Sequence, residues 1–349
     1  MTTPTPSGRV ERAQWVSAIV FVLSMLAVGC SPTATEGTSP QHPLPLQPVG
    51  ELTLPGNGSR FDYASLDSGR ALLFIAHLGA SEVIEVDIRA QKVVRTIPNL
   101  AQAHGVLVVP DLHRVYVTAT GEDHVVVLDE DTGAVLNSAP TGAYPDGLAY
   151  DPKRNAVWTT NESGGSETVI DAGAAAVRGT VELGADAGNV GYDPATDRML
   201  VAVQGRGDLA VIDPAALTIS RRIALPGCNH PHGLALDPGA GAAFVGCDGN
   251  ATLLSVDVAG GRVTGSSAVG ETPDVLAFDQ GAHRLYVAAE SGEVTALDEQ
   301  DGSLHVVGSG HLADGAHVVA VDQATHHSYY PVPSGAGGRP ALLERAPIS

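Results

Sequence analysis

The sequence predicts an all-β fold, a seven-bladed β-propeller made of four-stranded antiparallel blades. A related string of residues recurs seven times, at steps of 42 to 44 residues. Each copy carries four short β-rich runs, except that the last copy lacks its fourth run, which a segment near the N-terminus resembles. Seven similar β units of this length indicate a closed ring, because each unit must stack on its neighbours to bury its apolar faces.

The repeat is clearest in three strings. DGLAYDPKRNAVWTT (146–160) resembles HGLALDPGAGAAFVG (232–246) and DVLAFDQGAHRLYVA (274–288). The seven copies begin at positions 62, 104, 146, 188, 232, 274 and 317. A two-sheet sandwich is the competing all-β fold, but it would not produce seven evenly spaced similar units.

The third copy shows the four runs of one blade, GLAYD, AVWTT, ETVID and GTVEL, separated by turn residues. Short β-rich runs between such turns predict antiparallel strands. The third run of six copies ends in an aspartate, which we expect to cap the turn that follows. These aspartates are Asp87, Asp129, Asp171, Asp213, Asp257 and Asp298.

The two chain ends together complete the predicted ring. The seventh copy supplies three strands, near 317–322, 327–333 and 340–345. GELTLPG (50–56) resembles RIALPG (222–227), the fourth run of the fourth copy. We therefore expect the N-terminal strand to complete the last blade and to remove the exposed edges that an open ring would leave.

VYVTAT (115–120) and LYVAAE (285–290), each followed by an acidic turn, resemble the YVTN, or YncE-like, β-propeller repeat. CNHPHGLALDP, which begins at Cys228, and AFVGC, which ends at Cys247, resemble the fifth blade of that family. The resemblance covers roughly residues 50–345 and implies an exported propeller of a bacterium or an archaeon. It implies no particular chemistry, since one fold serves unrelated functions.

The N-terminus predicts export and lipid anchoring. Arg9 and Arg12 precede the apolar run WVSAIVFVLSMLAVG, which is too short to favour a spanning helix. LAVGC resembles a bacterial lipobox, so we predict that residues 1–29 are a lipoprotein signal peptide and that Cys30 is lipidated. An ordinary signal peptide with a chance cysteine and an uncleaved anchor are the alternatives.

Residues 30–48 are rich in Pro, Ser and Thr, which predicts a disordered tether before a propeller of residues 49–349. The lipid would hold the protein at the bacterial cell membrane or outer membrane, on the periplasmic side or at the cell surface. Lipidation of Cys30 leaves Cys228 and Cys247, which we expect to form a disulfide outside the cytoplasm. Two free thiols are the alternative.

The charge balance excludes one class of partner. The chain has 39 acidic and 19 basic residues, a formal net charge of −20. Nucleic-acid binding relies on Lys and Arg that neutralise phosphates, so we expect no nucleic-acid partner. We expect a monomer whose partners are the membrane, through its lipid, and an unidentified protein, glycan or small-molecule ligand.

The starts of the copies predict where a site would lie. The first strand of a blade lines the central channel, so the residues that precede these strands gather at one end of the ring, the upper face. Aspartates and histidines dominate this column, and the ends of the second strands lie beside it. The candidate ligand-binding residues are Asp62, His77, His104, Asp146, Asn161, His230, His232, Asp274, Glu290 and His317.

Histidines of this column suggest a metal site. His104, His232 and His317 are candidate ligands for a divalent transition metal, because neutral imidazoles suit zinc, copper, nickel and iron. His230 lies two residues before His232 on an extended segment, so both rings can point the same way. The alternative is structural, with each side chain bonded to nearby backbone or channel water and no cofactor bound.

Two functions follow from this column. The first is a non-catalytic, membrane-tethered module that binds its partner in the upper funnel, and it is favoured because the polar residues follow the repeat. The second is a metal-dependent lyase or lactonase-like hydrolase, with Asp146 or Asp274 orienting the histidine ligands. Gly188 favours the second, because a missing side chain could leave room for a substrate. The sequence has no GxSxG, HExxH or CxxCH motif.

Overall fold

The computed structural model describes residues 42–300 and 303–348. The predicted signal peptide (1–29), the lipidation site Cys30 and the tether up to residue 41 lie outside the described residues. Among the residues that are described, no helix combines the length and the apolar character needed to cross a bilayer.

The described residues form seven antiparallel sheets of four strands each, which confirms the predicted propeller. Blade 1 contains β2 (Ala64–Asp67), β3 (Leu72–His77), β4 (Glu82–Asp87) and β5 (Lys92–Pro98). Blade 2 contains β6 (Ala103–Val109), β7 (Arg114–Ala119), β8 (His124–Asp129) and β9 (Val135–Pro140). Blade 3 contains β10 (Pro145–Asp151), β11 (Ala156–Asn161), β12 (Ser166–Asp171) and β13 (Val177–Glu182). Blade 4 contains β14 (Val190–Asp193), β15 (Arg198–Val203), β16 (Asp208–Asp213) and β17 (Thr218–Ala224).

The remaining three blades follow the same plan. Blade 5 contains β18 (Pro231–Asp237), β19 (Ala242–Cys247), β20 (Thr252–Asp257) and β21 (Arg262–Ala268). Blade 6 contains β22 (Pro273–Asp279), β23 (Arg284–Ala289), β24 (Glu293–Gln300) and β25 (Ser303–His311). Blade 7 contains β26 (Ala320–Val321), β27 (Ser328–Val332), β28 (Ala341–Pro347) and β1 (Leu46–Thr53). Helical structure within the described residues is limited to single 3-10 turns at Leu78–Ala80, Pro110–Leu112, Thr120–Glu122, Gln204–Arg206 and Asp248–Asn250.

Blade 7 closes the ring with strands from both ends of the chain, as predicted. β1 takes the outer place in this blade and pairs antiparallel with β28 along its whole length. It begins at Leu46, inside the segment assigned to the tether, and the carbonyl of His42 accepts a hydrogen bond from the Ser309 N–H of blade 6 at 3.0 Å. The strand structure therefore starts earlier than residue 49. The prolines of this segment are compatible with it, since β1 is an edge strand.

The apolar core lies between the faces of neighbouring blades. The middle strands of each blade are covered on both sides, so strands such as β3 and β15 are almost continuously buried. Trp158 of blade 3, for example, is fully buried and clusters with Val190 and Val201 of blade 4. The blades are thus held together by packing across every seam, which fixes the positions of the strand ends at the upper face.

Two local predictions can be checked directly. Cys228 and Cys247 form a disulfide with their Cα atoms 5.3 Å apart, which confirms the predicted bond. Five of the six repeated aspartates accept a hydrogen bond from a backbone N–H in the turn that follows. Asp298 is the exception: β24 continues beyond it, and its carboxylate binds the Arg284 side chain at 2.6 and 3.0 Å.

Candidate functional site

The upper face is shaped by a β-bulge near the start of four first strands. In β6, β10, β18 and β22 the pairing with the second strand slips by one residue just after the first pair. The first residues inside these bulges are His104, Asp146, His232 and Asp274, in that order. A bulge leaves its residues out of the ladder and can turn a side chain toward a site. All four residues border one cavity at the mouth of the channel.

Glycines at this level let neighbouring blades touch through their backbones. A Cβ on Gly105 would lie 2.2 Å from the carbonyl oxygen of Asp146 in the next blade. A Cβ on Gly188 would lie 2.6 Å from the Cα and the carbonyl oxygen of His232. The prediction that Gly188 leaves room for a substrate is therefore wrong, because the backbone of blade 5 fills that space.

Arg60 lies at the centre of an ion-pair cluster on this face. Its Nε donates to Asp62 Oδ2 at 2.7 Å, and one terminal nitrogen lies 3.4 Å from Asp274 Oδ2. The other terminal nitrogen donates to Glu290. Burial opposes the charge of the guanidinium, but these carboxylates outweigh it and raise the pKa of Arg60 further. Arg60 therefore links blades 1 and 6 across blade 7, which lies between them.

Two histidines extend this pattern around the mouth. His104 Nε2 lies 3.1 Å from Asp62 Oδ2 and 3.4 Å from Asp146 Oδ1. His232 Nε2 lies 3.2 Å from Asp274 Oδ1, and its Nδ1 contacts the amide of Gln204. Cationic and anionic side chains thus alternate around the opening. We call these six residues the charge ring: Arg60, Asp62, His104, Asp146, His232 and Asp274.

The charge ring keeps both histidines protonated at neutral pH. Burial lowers the pKa of His104, but Asp146 and Asp62 outweigh it and raise the value to about 9. Burial also opposes the charge of His232, whose pKa Asp274 and Asp146 raise to about 10. Burial raises the pKa of Asp62, but its cationic neighbours hold it at about 2. Asp146 differs, because burial outweighs the attraction of the two histidines and raises its pKa.

A cavity of about 280 Å³ opens at the charge ring. A second cavity of about 340 Å³ occupies the channel among the first strands. The Tyr63 hydroxyl of blade 1 donates to Asn189 Oδ1 of blade 4 at 2.6 Å, and both residues border the second cavity. This hydrogen bond joins blades 1 and 4 across the channel. We call the upper cavity the funnel. Its wall also includes Tyr144, Glu162, Gln204, His230, Asp248, Thr272 and Glu290.

Two of the ten candidate residues serve the fold of their own blades. His77 is fully buried, stacks on Phe61 with ring centroids 4.2 Å apart, and pairs with Glu82 at 3.0 Å. The Asn161 amide donates to the Thr168 hydroxyl at 2.9 Å at the end of blade 3. Neither side chain borders the funnel among the described residues. Both lie at second-strand ends, where the neighbouring strand covers them.

The grouping of potential metal ligands differs from the three-histidine set. His104 and His232 turn toward carboxylates of the charge ring instead of toward each other. His317 Nε2 lies 2.9 Å from the Phe61 carbonyl oxygen, and its Nδ1 lies 3.4 Å from Glu290. Within the described part of this face, one set of three donor atoms lies within 4.8 Å of one another. It consists of Asp62, Asp274 and His317.

Sequence reasoning missed Arg60, Tyr144 and Glu162. A signal for the first two was present, because both stand two residues before the start of a copy. His230 occupies the same position in blade 5, borders the funnel, and pairs with Asp248 at 2.8 Å. Tyr144 and His230 also share a left-handed backbone, with φ values of 59° and 61°. Reading the repeat two residues earlier would have found this outer row of the funnel.

Comparison with known proteins supports the fold. No protein-family model matches the chain, and no curated protein matches it. The solved structure of Kuenenia stuttgartiensis hydrazine synthase superposes with a TM-score of 0.69 at 17% sequence identity. The match covers 85% of this chain and 95% of that chain. At this identity the similarity shows a shared propeller fold and carries no information about activity.

Proposed function

We propose that this protein is an extracytoplasmic propeller of the YVTN, or YncE-like, type that binds a small polar ligand in its upper funnel. The observation that carries the proposal is the charge ring: six charged side chains from five blades, five of them buried or half-buried, converge on one concave cavity. A concave site with a few convergent polar groups suits a small molecule better than a flat protein partner. The fixed, alternating charges would orient such a ligand without rearrangement.

A histidine NMR experiment tests whether the funnel binds. The soluble domain, residues 31–349, would be titrated with glucose, succinate, glucosamine and ethanolamine while the imidazole signals are followed. We expect at least one compound to shift the signals of His104 and His232, and His232→Gln to abolish that shift. His283→Ala is the matched control, because that ring is exposed in the turn between β22 and β23, at the opposite end of blade 6. No shift with any compound, or shifts confined to His283, would reject funnel binding.

Membrane tethering through Cys30 is a separate part of the proposal. It is supported by the lipobox-like sequence, and the Cys228–Cys247 disulfide is compatible with an oxidising compartment. We expect the wild-type protein to fractionate with membranes and Cys30→Ala to be released into the soluble fraction. Mass spectrometry of the N-terminal peptide should find a diacylglyceryl group on Cys30. An unmodified Cys30 in a membrane-bound protein would contradict the lipid anchor and favour an uncleaved helix.

A metal-dependent lyase or hydrolase is the second candidate. The observation in its favour is the convergence of Asp62, Asp274 and His317 donor atoms within 4.8 Å. Arg60 already contacts both carboxylates, so a metal ion would have to replace the guanidinium. Elemental analysis of untagged residues 31–349, compared with His317→Ala and His232→Ala, decides between the two. Near-stoichiometric zinc, copper, nickel or iron that either substitution removes would favour the enzyme.

A further inference from the structure

Asp146 is the member of the charge ring whose carboxylate lacks a donor. Its side chain is 1% exposed, borders the funnel, and accepts no hydrogen bond on either oxygen within the described residues. The nearby His104 Nε2 is 3.4 Å from Oδ1 but lies closer to Asp62, at 3.1 Å. Buried polar atoms normally have partners, because an unpaired buried group costs free energy. An unpaired carboxylate on the wall of a cavity points to a donor from a ligand.

Arg60 shows what such a donor looks like on this face. Its guanidinium supplies N–H groups to Asp62, Asp274 and Glu290, so the side of the mouth formed by blades 1 and 6 holds an internal cation. The described residues offer no equivalent cationic side chain in hydrogen-bonding contact with Asp146 on the side formed by blade 3. Both sides of the funnel thus carry carboxylates. Those of Asp62 and Asp274 have the Arg60 guanidinium as a partner, whereas the Asp146 carboxylate has no hydrogen-bond donor within the described residues.

The charges of the funnel wall favour a cation over a neutral donor. Six carboxylates border the cavity, against three side chains that are cationic at neutral pH. Glu162 is among these carboxylates, and burial together with the charge of Asp146 raises its pKa, which means that the two carboxylates repel each other. A neutral hydroxyl could bond to Asp146 but would leave this repulsion in place. The carboxylates are Asp62, Asp146, Glu162, Asp248, Asp274 and Glu290, and the cations are Arg60, His104 and His232.

An aromatic ring completes this side of the funnel. Tyr144 stands two residues before Asp146, is 39% exposed, and borders the cavity. Its ring meets the His104 ring edge to face, with centroids 5.6 Å apart. An exposed aromatic ring next to a carboxylate is a favourable surface for an organic cation, which gains from both the ring quadrupole and the negative charge.

We propose that the funnel binds an organic cation that carries N–H donors, an ammonium or guanidinium group, with its charged end against Asp146 and Glu162 and its carbon frame beside Tyr144. This assignment rests on the proposed function, whose ligand class it names. A charged donor to a carboxylate forms a stronger hydrogen bond than a neutral one, so a compound with an amine should bind better than the same compound with a hydroxyl.

Two matched pairs of compounds test the assignment by NMR titration of the wild-type domain. Ethanolamine is compared with ethylene glycol, and glucosamine with glucose, since each pair exchanges one ammonium for one hydroxyl. We expect the amine of each pair to bind at least tenfold more tightly. Asp146→Asn should reduce amine binding by at least tenfold, and Glu162→Gln should reduce it several-fold if the first substitution impairs folding. His283→Ala should leave binding unchanged.

The outcomes separate the assignment from the proposed function. Binding of glucose, ethylene glycol or succinate in the funnel, with equal or weaker binding of the amines, would overturn the cationic ligand and leave the binding module intact. Amine binding that survives both Asp146→Asn and Glu162→Gln would also overturn it. Failure of every compound to perturb His104 or His232 would reject the cation and the binding funnel together.

Discussion

Replacing Gly188 by alanine would force blades 4 and 5 apart at the mouth of the funnel. The added Cβ would lie 2.6 Å from the Cα and the carbonyl oxygen of His232, and 3.0 Å from its carbonyl carbon. All three atoms belong to the backbone, so no side chain can rotate away. The same carbonyl oxygen accepts a hydrogen bond from the Asn189 N–H at 2.9 Å. The substitution therefore strains the seam and moves a residue of the charge ring.

The cost can be worked out from these contacts. Overpacking a well-packed contact costs about 1–3 kcal/mol, and losing the hydrogen bond to Asn189 adds about 1 kcal/mol. We expect Gly188→Ala to lower the free energy of unfolding by roughly 2–4 kcal/mol. For a domain of this size, with an unfolding entropy of about 2.1 cal/mol/K per residue, that corresponds to a fall in Tm of about 3–6 °C.

Thermal unfolding of residues 31–349, followed by tryptophan fluorescence, measures this effect. Trp158 is the one tryptophan in that segment and is packed against blade 4, so its signal reports the affected region. Gly337→Ala is the matched control, because a Cβ there meets no atom within 4 Å. If Gly188→Ala melted at the same temperature as Gly337→Ala, blades 4 and 5 would not be in backbone contact at this point.

Three further predictions concern other parts of the ring. Burial raises the pKa of Glu167 from its ordinary 4.5 to about 8, so the folded protein holds a proton that the unfolded chain loses, and stability should fall as the pH rises from 4.5 to 8. At about 1.4 kcal/mol per pH unit, the loss of unfolding free energy over this range is at most about 5 kcal/mol. Glu167→Gln should remove most of the difference between thermal melts at pH 5 and pH 8. The same pH dependence in wild type and variant would contradict a neutral buried carboxyl. Replacing both Cys228 and Cys247 by serine should cost about 3 kcal/mol, given their separation of 19 residues, whereas two free thiols in an Ellman titration of unfolded, unreduced wild type would show that the bond is absent. Deleting residues 49–56 removes most of β1 and the fully buried Leu54, and should destabilise the whole domain. An unchanged Tm in this truncation would contradict the closure of the ring by β1.

The fold was predictable because the repeat constrains it at every level. The 42-residue period, the four runs per copy and the turn aspartates agree with one another, and consistency across levels favours a single fold. The start of β1 was not predictable from composition, since the proline-rich segment before it reads as a tether. Its strand character comes from β28 and Ser309, which are far away in the sequence. Asp298 failed as a turn cap for a similar reason, because Arg284 competes for its carboxylate.

The sequence predicted which residues gather at the mouth of the channel, but not which of them contact one another. The repeat placed Asp62, His104, Asp146, His232 and Asp274 at one mouth, and the structure brings all five together. Whether these histidines face a metal or a carboxylate depends on the bulges, which the alternation of residues does not reveal. The place of Arg60, two residues before the first copy, indicated where it lies. No other copy carries an arginine at that place, so the pattern did not indicate that it would bridge two blades.

Histidine protonation tests the charge ring most directly. A ¹⁵N-histidine NMR titration of residues 31–349, with assignments from His104→Gln and His232→Gln, would give both pKa values. We expect about 9 for His104 and about 10 for His232, so that the stability contributed by their ion pairs is complete below pH 6.5 and is lost as the pH rises through these values. Asp274→Asn should lower the value for His232 more than that for His104. Titration of both rings near 6.5 would show that no ring of alternating charges exists at the mouth of the funnel.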